Sequence, residues 1–333
     1  MENNEMNVTV QNEAAENASP VFSGGGAPVN GQMQMGAQPA GKAPEMSVGK
    51  RIGYGFLSWA PFAACMALQF GIAIVVMLCA VVVEVLKVGP EIMSDMDAYM
   101  QLVYDVIAES AYLGTVGYHI VGTLVFAIWY YFSYRKPRPK VFGAFKKLTW
   151  KNVLIAVVCG IALCFFSNGT VFVEYVLVPD VVEAYIEMAE MAGLGTEPIV
   201  IFAAIILAPI GEEFVCRGLT QKYAKKAIGK FWLANIFQAF VFGLMHLNWV
   251  QGIYAFVIGL VLGWLVERYD SILLAMLVHF VVNLSTSTWV DKVLDPLYKV
   301  FPYDLPFGII LMVLSGAITV GMLIWGGKKE QTA

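Results

Sequence analysis

Charge is scarce in this sequence: Asp, Glu, Lys and Arg make up 14% of its 333 residues, against about 25% in a soluble domain. With 59% of residues hydrophobic and a mean hydropathy of +0.68, the apolar surplus exceeds what one water-facing globule of this length can hide. A single soluble domain is a poor reading. Basic charge is short too, with 21 Lys and Arg against 25 Asp and Glu and a net charge of −4, so no positive field exists to attract nucleic acid. The five cysteines, Cys65, Cys79, Cys159, Cys164 and Cys216, lack the paired spacing of a disulfide scaffold or zinc ribbon. They read as small apolar packing residues. No basic stretch followed by a short apolar one opens the chain, so its first apolar segment is expected to be a retained span.

What is present is a long polar tail and then hydrophobic runs. Residues 1–48 are rich in Gly, Ala, Asn and Pro, as in Ser23-Gly24-Gly25-Gly26-Ala27-Pro28, have no apolar periodicity and read as a disordered tail. Residues 53–328 then form the membrane domain. Apolar runs near 59–86, 111–134, 152–178, 198–218, 231–248, 250–268, 271–290 and 305–326 are each about long enough to cross ~30 Å of hydrocarbon at ~1.5 Å per residue. The expected fold class is therefore all-α, a polytopic membrane bundle of about eight transmembrane helices with membrane lipids as its surroundings. With the N-terminus placed in the cytoplasm, only Lys87, Lys292 and Lys299 of the 21 basic residues fall on the far side, and this bias predicts both termini inside. The first two external connections are acidic: Glu91, Asp95, Asp97, Asp105 and Glu109 in one, Asp180, Glu183, Glu187, Glu190 and Glu197 in the other.

Ionisable residues within spans are costly and hence functional candidates. Here they cluster. The fourth run carries Gly211-Glu212-Glu213-Phe214-Val215-Cys216-Arg217, the fifth ends Phe242-Gly243-Leu244-Met245-His246, and the seventh holds His279-Phe280-Val281-Val282-Asn283. Adjacent glutamates on a helix point about 100° apart. Glu213 precedes Arg217 by one turn and has an intrahelical counter-ion, whereas Glu212 has none and is the better general base. His279 and Asn283, one turn apart, suit donation to a developing oxyanion. Phe242 and His246 share a face in the same way, so the ring can hold the imidazole. His119 stands alone in the second run and reads as a packing residue. Gly259 and Gly263 form a small-xxx-small pair for close helix packing inside the bundle, with homodimerisation as the alternative; Tyr269-Asp270 reads as the turn that starts the seventh helix.

The order Glu-Glu-x-x-x-Arg, Phe-x-x-x-His, His-x-x-x-Asn, each on a membrane helix, resembles the CAAX prenyl protease and bacteriocin-processing family of intramembrane proteases, also called the Abi family. That family includes type II CAAX prenyl endopeptidases and proteins similar to lysostaphin resistance protein A. The resemblance covers residues 198–290. It implies a hydrolase acting on peptide bonds of a membrane-associated peptide or protein, in which Glu212 and His246 activate the attacking water and His279 and Asn283 stabilise the oxyanion, with Glu213, Arg217 and Phe242 in support. It also implies a multi-pass protein, here expected in a bacterial plasma membrane. The family has been described both as zinc-dependent and as metal-free. Glu212, His246 and His279 would supply three zinc ligands with a fourth position open for water, or hold a water with no ion; the sequence leaves both open.

Other chemistries lack their motifs. There is no Gly-x-Ser-x-Gly nucleophile sequence, no His-Glu-x-x-His helix, and no Gly-x-Gly-Asp partner for Tyr269-Asp270. Two alternatives outside the protease class are a non-catalytic scaffold or bacteriocin-immunity-type protein and, with less support, a transporter, whose inverted repeat is missing. Depth poses a difficulty. Counted from Lys230, His246 lies 16 residues along its run, about 24 Å, whereas Glu212 lies 10 residues from Lys222, about 15 Å.

Overall fold

The structure, a computed structural model, describes residues 46–134, 145–194, 197–284, 289–300 and 305–327. The polar tail through residue 45 and the basic residues Arg135, Lys136, Arg138 and Lys140 lie outside the described residues. Among the described residues there is no strand. The helices are α1 (Val48–Val88), α2 (Met96–Ser133), α3 (Trp150–Leu177), α4 (Pro179–Met191), α5 (Pro198–Ile228), α6 (Phe231–Leu244), α7 (Trp249–Tyr269), α8 (Ile272–Asn283), α9 (Trp289–Val300) and α10 (Leu305–Gly327).

Six of these, α1, α2, α3, α5, α7 and α10, are long and apolar enough to cross a membrane. The protein is a polytopic helical membrane bundle. Each expected run contains one helix, but several boundaries move. The 41 residues of α1 extend about 61 Å at ~1.5 Å per residue, twice the ~30 Å hydrocarbon thickness, because the helix continues through polar flanks at both ends. Conversely, α6 and α8 have only 14 and 12 residues, about 21 and 18 Å. The run 231–248 is interrupted at Leu247, whose φ of 55° lies in the left-handed region that a branched side chain rarely adopts. The run 271–290 stops as a helix at Asn283, and its last residues, from Trp289, begin α9. The second acidic connection contains a further helix, α4, begun by Pro179 at its first turn, where a missing N–H is harmless.

Local signals explain the other starts. Asp95 caps α2 by accepting from Ala98 N at 3.2 Å, Thr149 caps α3 through Asn152 N at 3.3 Å, and Asn248 caps α7 through Gln251 N at 2.7 Å; each oxygen satisfies a donor that the first turn leaves open. Asp270, with φ 52°, ends α7 as the expected turn before α8.

α5 departs from ideal winding twice, with π-helical segments at Ala203–Leu207 and Phe214–Thr220 on either side of the two glutamates. Such bulges concentrate at functional sites. α5 also runs past the expected limit at 218 to Ile228, where Gly229 ends it at φ 79°. Measured from that end, Glu212 is 16 residues in, about 24 Å. This is close to the length of α6 that leads to the His246 turn, about 21 Å, so most of the discrepancy came from taking Lys222 as the end of the helix.

Packing places small residues where helices meet. A Cβ on Gly160 of α3 would lie 2.6 Å from Val281 Cβ of α8, and one on Gly169 3.1 Å from the Gly308 carbonyl oxygen of α10. A Cβ on Gly259 would lie 3.0 Å from Ala239 Cα, and one on Gly263 would meet the Asn235 and Gln238 side chains. The glycine pair of α7 therefore packs against α6 inside the bundle. Gln238 Nε2 donates to Gly259 O at 2.8 Å and Asn235 Nδ2 to Leu260 O at 3.0 Å, so buried amides tie the two helices along the glycine face.

Candidate active site

Three helices and one turn bring the polar residues together. Glu213 is fully buried, and its Oε1 accepts from Arg217 Nη1 at 2.9 Å, the i,i+4 pair expected on α5. The same oxygen lies 2.9 Å from His279 Nδ1 on α8. An ionised carboxylate is only an acceptor, so this contact places a proton on Nδ1 and turns Nε2 outward. His279 Nε2 is 3.6 Å from Glu212 Oε2. The adjacent glutamates thus have different surroundings: the Glu213 side chain is 0% exposed, while that of Glu212 is 14% exposed and lines a cavity.

Phe242 near the end of α6 is a shared support. Arg217 Cζ sits 4.3 Å from its ring centroid, a cation–π contact. His246 and His279 meet the ring edge-on at 5.3 and 5.4 Å between centroids. The sequence pairs Phe242 with His246 alone; in the structure it orients both imidazoles and the guanidinium.

His246 belongs to no helix: it follows the C-terminus of α6, in the tight turn to α7. Its backbone N–H donates to Gly243 O at 3.3 Å, and its carbonyl accepts from Asn248 Nδ2 at 2.9 Å. With the left-handed Leu247 between them, these bonds fix the turn that points His246 into the cavity.

Asn283 is anchored by an irregularity of α5. In regular winding Ala204 O would accept from Ala208 N–H, but the π segment sends that N–H to Ala203 O, and residue 209, next in line, is a proline without a donor. The stranded Ala204 carbonyl accepts from Asn283 Nδ2 at 2.9 Å. Pro209 and the π segment thereby dock the end of α8 onto α5 beside Glu212.

Glu212, His246, His279 and Asn283 all line one cavity of about 430 Å³, within the range of small ligand pockets. Phe242 also reaches its wall, while Glu213 and Arg217 lie buried behind it. His119, read from sequence as a packing residue, lines the same cavity, as do Gln69, Gln251 and Tyr254. The sign available in sequence was polarity at helical spacing in otherwise apolar runs; which face each residue takes is set only by packing. α4 covers part of the cavity through Tyr185 and Met188, and Tyr254 of α7 lines it as well.

Among the described residues no group of three or more His, Cys, Asp or Glu side chains is arranged to hold a metal ion. Glu212, His246 and His279 as placed do not fit a three-ligand zinc site, and no step below passes through a metal.

Fold and site together define a helical membrane protein with a carboxylate–imidazole cluster on an internal cavity. Residues 195–285 match the family described as type II CAAX prenyl endopeptidase, Rce1-like, and this match supports the assignment of the chain to the CAAX prenyl protease and bacteriocin-processing family, and with it a protease among the hydrolases. The matched segment runs from just before α5 to just after α8 and contains all three motifs. No curated protein and no solved structure matches the chain.

Proposed function

We propose that the protein is an intramembrane endopeptidase that hydrolyses a peptide bond of a membrane-associated peptide or protein by direct attack of water. The observation that carries this reading is the division between adjacent glutamates: Glu213 is buried and bonded to Arg217 and His279, while Glu212 faces the cavity beside His279 Nε2. A carboxylate on the cavity wall, with no cation bonded to it by design of its own helix, is suited to take a proton from water.

In the proposed sequence Glu212, with His246, accepts a proton from water as the oxygen adds to the scissile carbonyl carbon. The carbonyl oxygen becomes an oxyanion, which receives hydrogen bonds from His279 and Asn283. For Nε2 to donate, His279 must carry both ring protons. In that state Glu213, Arg217, Glu212 and His279 sum to zero charge, an arrangement that a buried site tolerates far better than a net charge. Collapse of the tetrahedral intermediate breaks the C–N bond, and the proton held by Glu212 passes to the leaving amine.

The test is cleavage of a library of quenched peptides, with and without a lipid anchor, by purified wild type and Glu212→Gln, with metal content assayed on the same samples. Wild type is expected to cleave and Glu212→Gln to lose about 10²–10⁴-fold in rate, the contribution of a general base, while inserting and folding normally. Full activity in Glu212→Gln would sink the assignment. If wild type cleaves nothing and the variant still complements a deletion strain, a non-catalytic scaffold becomes the better account.

A further inference from the structure

The cavity has a second set of polar lining residues. Gln69 of α1 and Thr115 and His119 of α2 line it, and all lie outside the segment that matches the family. Their spacing is helical: Cys65, Gln69 and Ala73 recur every four residues on α1, and Ala111, Thr115 and His119 do so on α2, so one face of each helix is turned to the cavity. The two faces are in register, since Cys65 Sγ and Tyr118 Oη are hydrogen-bonded at 2.8 Å and a Cβ on Gly114 would lie 3.4 Å from Ala73 Cα. Among the described residues neither the Gln69 amide nor the His119 ring has a hydrogen-bond partner; His119 meets only the Tyr118 ring, at 5.1 Å between centroids. Amide and imidazole groups inside a membrane bundle are costly unless something pairs with them.

We propose that Gln69 and His119 hold the substrate's backbone in the cavity that Glu212 lines, a reading that rests on the endopeptidase function above. A peptide bond open to attack cannot keep both of its neighbouring backbone pairs inside a helix, so the residues flanking it present N–H and C=O groups that must be satisfied away from water. A glutamine side chain offers a donor and an acceptor like the peptide group itself, and a neutral imidazole offers one of each. The wall therefore selects a segment that is extended, or readily unwound, over an intact transmembrane helix.

The experiment uses the full chain in detergent and the quenched peptide library. Gln69→Leu and His119→Leu are each expected to raise KM about tenfold, the loss of one good hydrogen bond, with kcat within about threefold of wild type. His119→Gln, which keeps a donor and an acceptor, should restore KM. A second readout does not respond to general loosening of the bundle. Replacing one amide beside the cleaved bond by an ester, which removes a single N–H, should weaken wild type at one position and leave one of the two leucine variants unaffected there. Unchanged KM in both variants, or a fall in kcat alone, would overturn the proposal. Failure of wild type to cleave any peptide would defeat the endopeptidase reading itself, before the variants are compared, and this proposal with it.

Discussion

Two interfaces of the bundle are held together in opposite ways. Between α3 and α10, apart from Lys151 over the Trp325 ring at one end, the contact is glycine and hydrocarbon: Gly169 and Gly308 let the backbones approach, and the rings of Phe172 and Phe307 meet edge to face at 5.8 Å. Between α5 and α8 the contact includes a buried carboxylate bonded to a guanidinium and an imidazole. Apolar packing shows that this chain can join membrane helices without burying charge. The ionic contact, which is no better a source of stability than well-packed hydrocarbon, is therefore explained by the geometry it imposes on His279 and Glu212.

That contrast is sharpest where one partner is removed. Arg217→Leu leaves Glu213 buried with His279 as its one remaining partner, and the expected loss is about 3–5 kcal/mol of stability, together with loss of cleavage, as read by denaturation in detergent and peptide assay. A variant as stable as wild type would break the comparison. In the apolar interface Gly169→Val pushes a side chain against the Gly308 carbonyl and the Met312 backbone, costing about 1–3 kcal/mol as overpacking does. Its kcat should stay near wild type, because neither Gly169 nor any residue of α10 lines the cavity. The smallest effect falls between the two classes. Asn248→Ala removes the cap of α7 and the bond to the His246 carbonyl; about 1 kcal/mol of stability should be lost, with a fall in kcat exceeding that of Gly169→Val because the turn no longer fixes His246.

Much of this site was legible in the sequence, for a definite reason. Intramembrane charge is rare enough that Glu212, Glu213, Arg217, His246 and His279 identify themselves, and the i,i+4 rule correctly paired Glu213 with Arg217. The eight apolar runs likewise located eight of the ten helices, missing α4 and α9. What escaped was set by backbone irregularity and by packing. The π segments of α5 have no composition signature, although Pro209 signals that some carbonyl nearby must look elsewhere for a donor. The end of α6 at Leu244 was hidden because Met245, His246 and Leu247 are as apolar or helix-compatible as the residues before them. His119 was read as isolated because its neighbours on the cavity wall come from distant segments. Metal was left open by sequence, and the placement of the three candidate ligands does not fit a zinc site.

The most direct measurement sets the adjacent glutamates against each other: thermal stability and peptide cleavage of Glu212→Gln and Glu213→Gln, purified side by side with wild type. The account predicts that Glu212→Gln keeps wild-type stability and loses cleavage by about 10²–10⁴-fold, while Glu213→Gln loses stability, because Arg217 and His279 then share a neutral amide in a buried site. Wild-type cleavage by Glu212→Gln, or equal stability in the two variants, would contradict it.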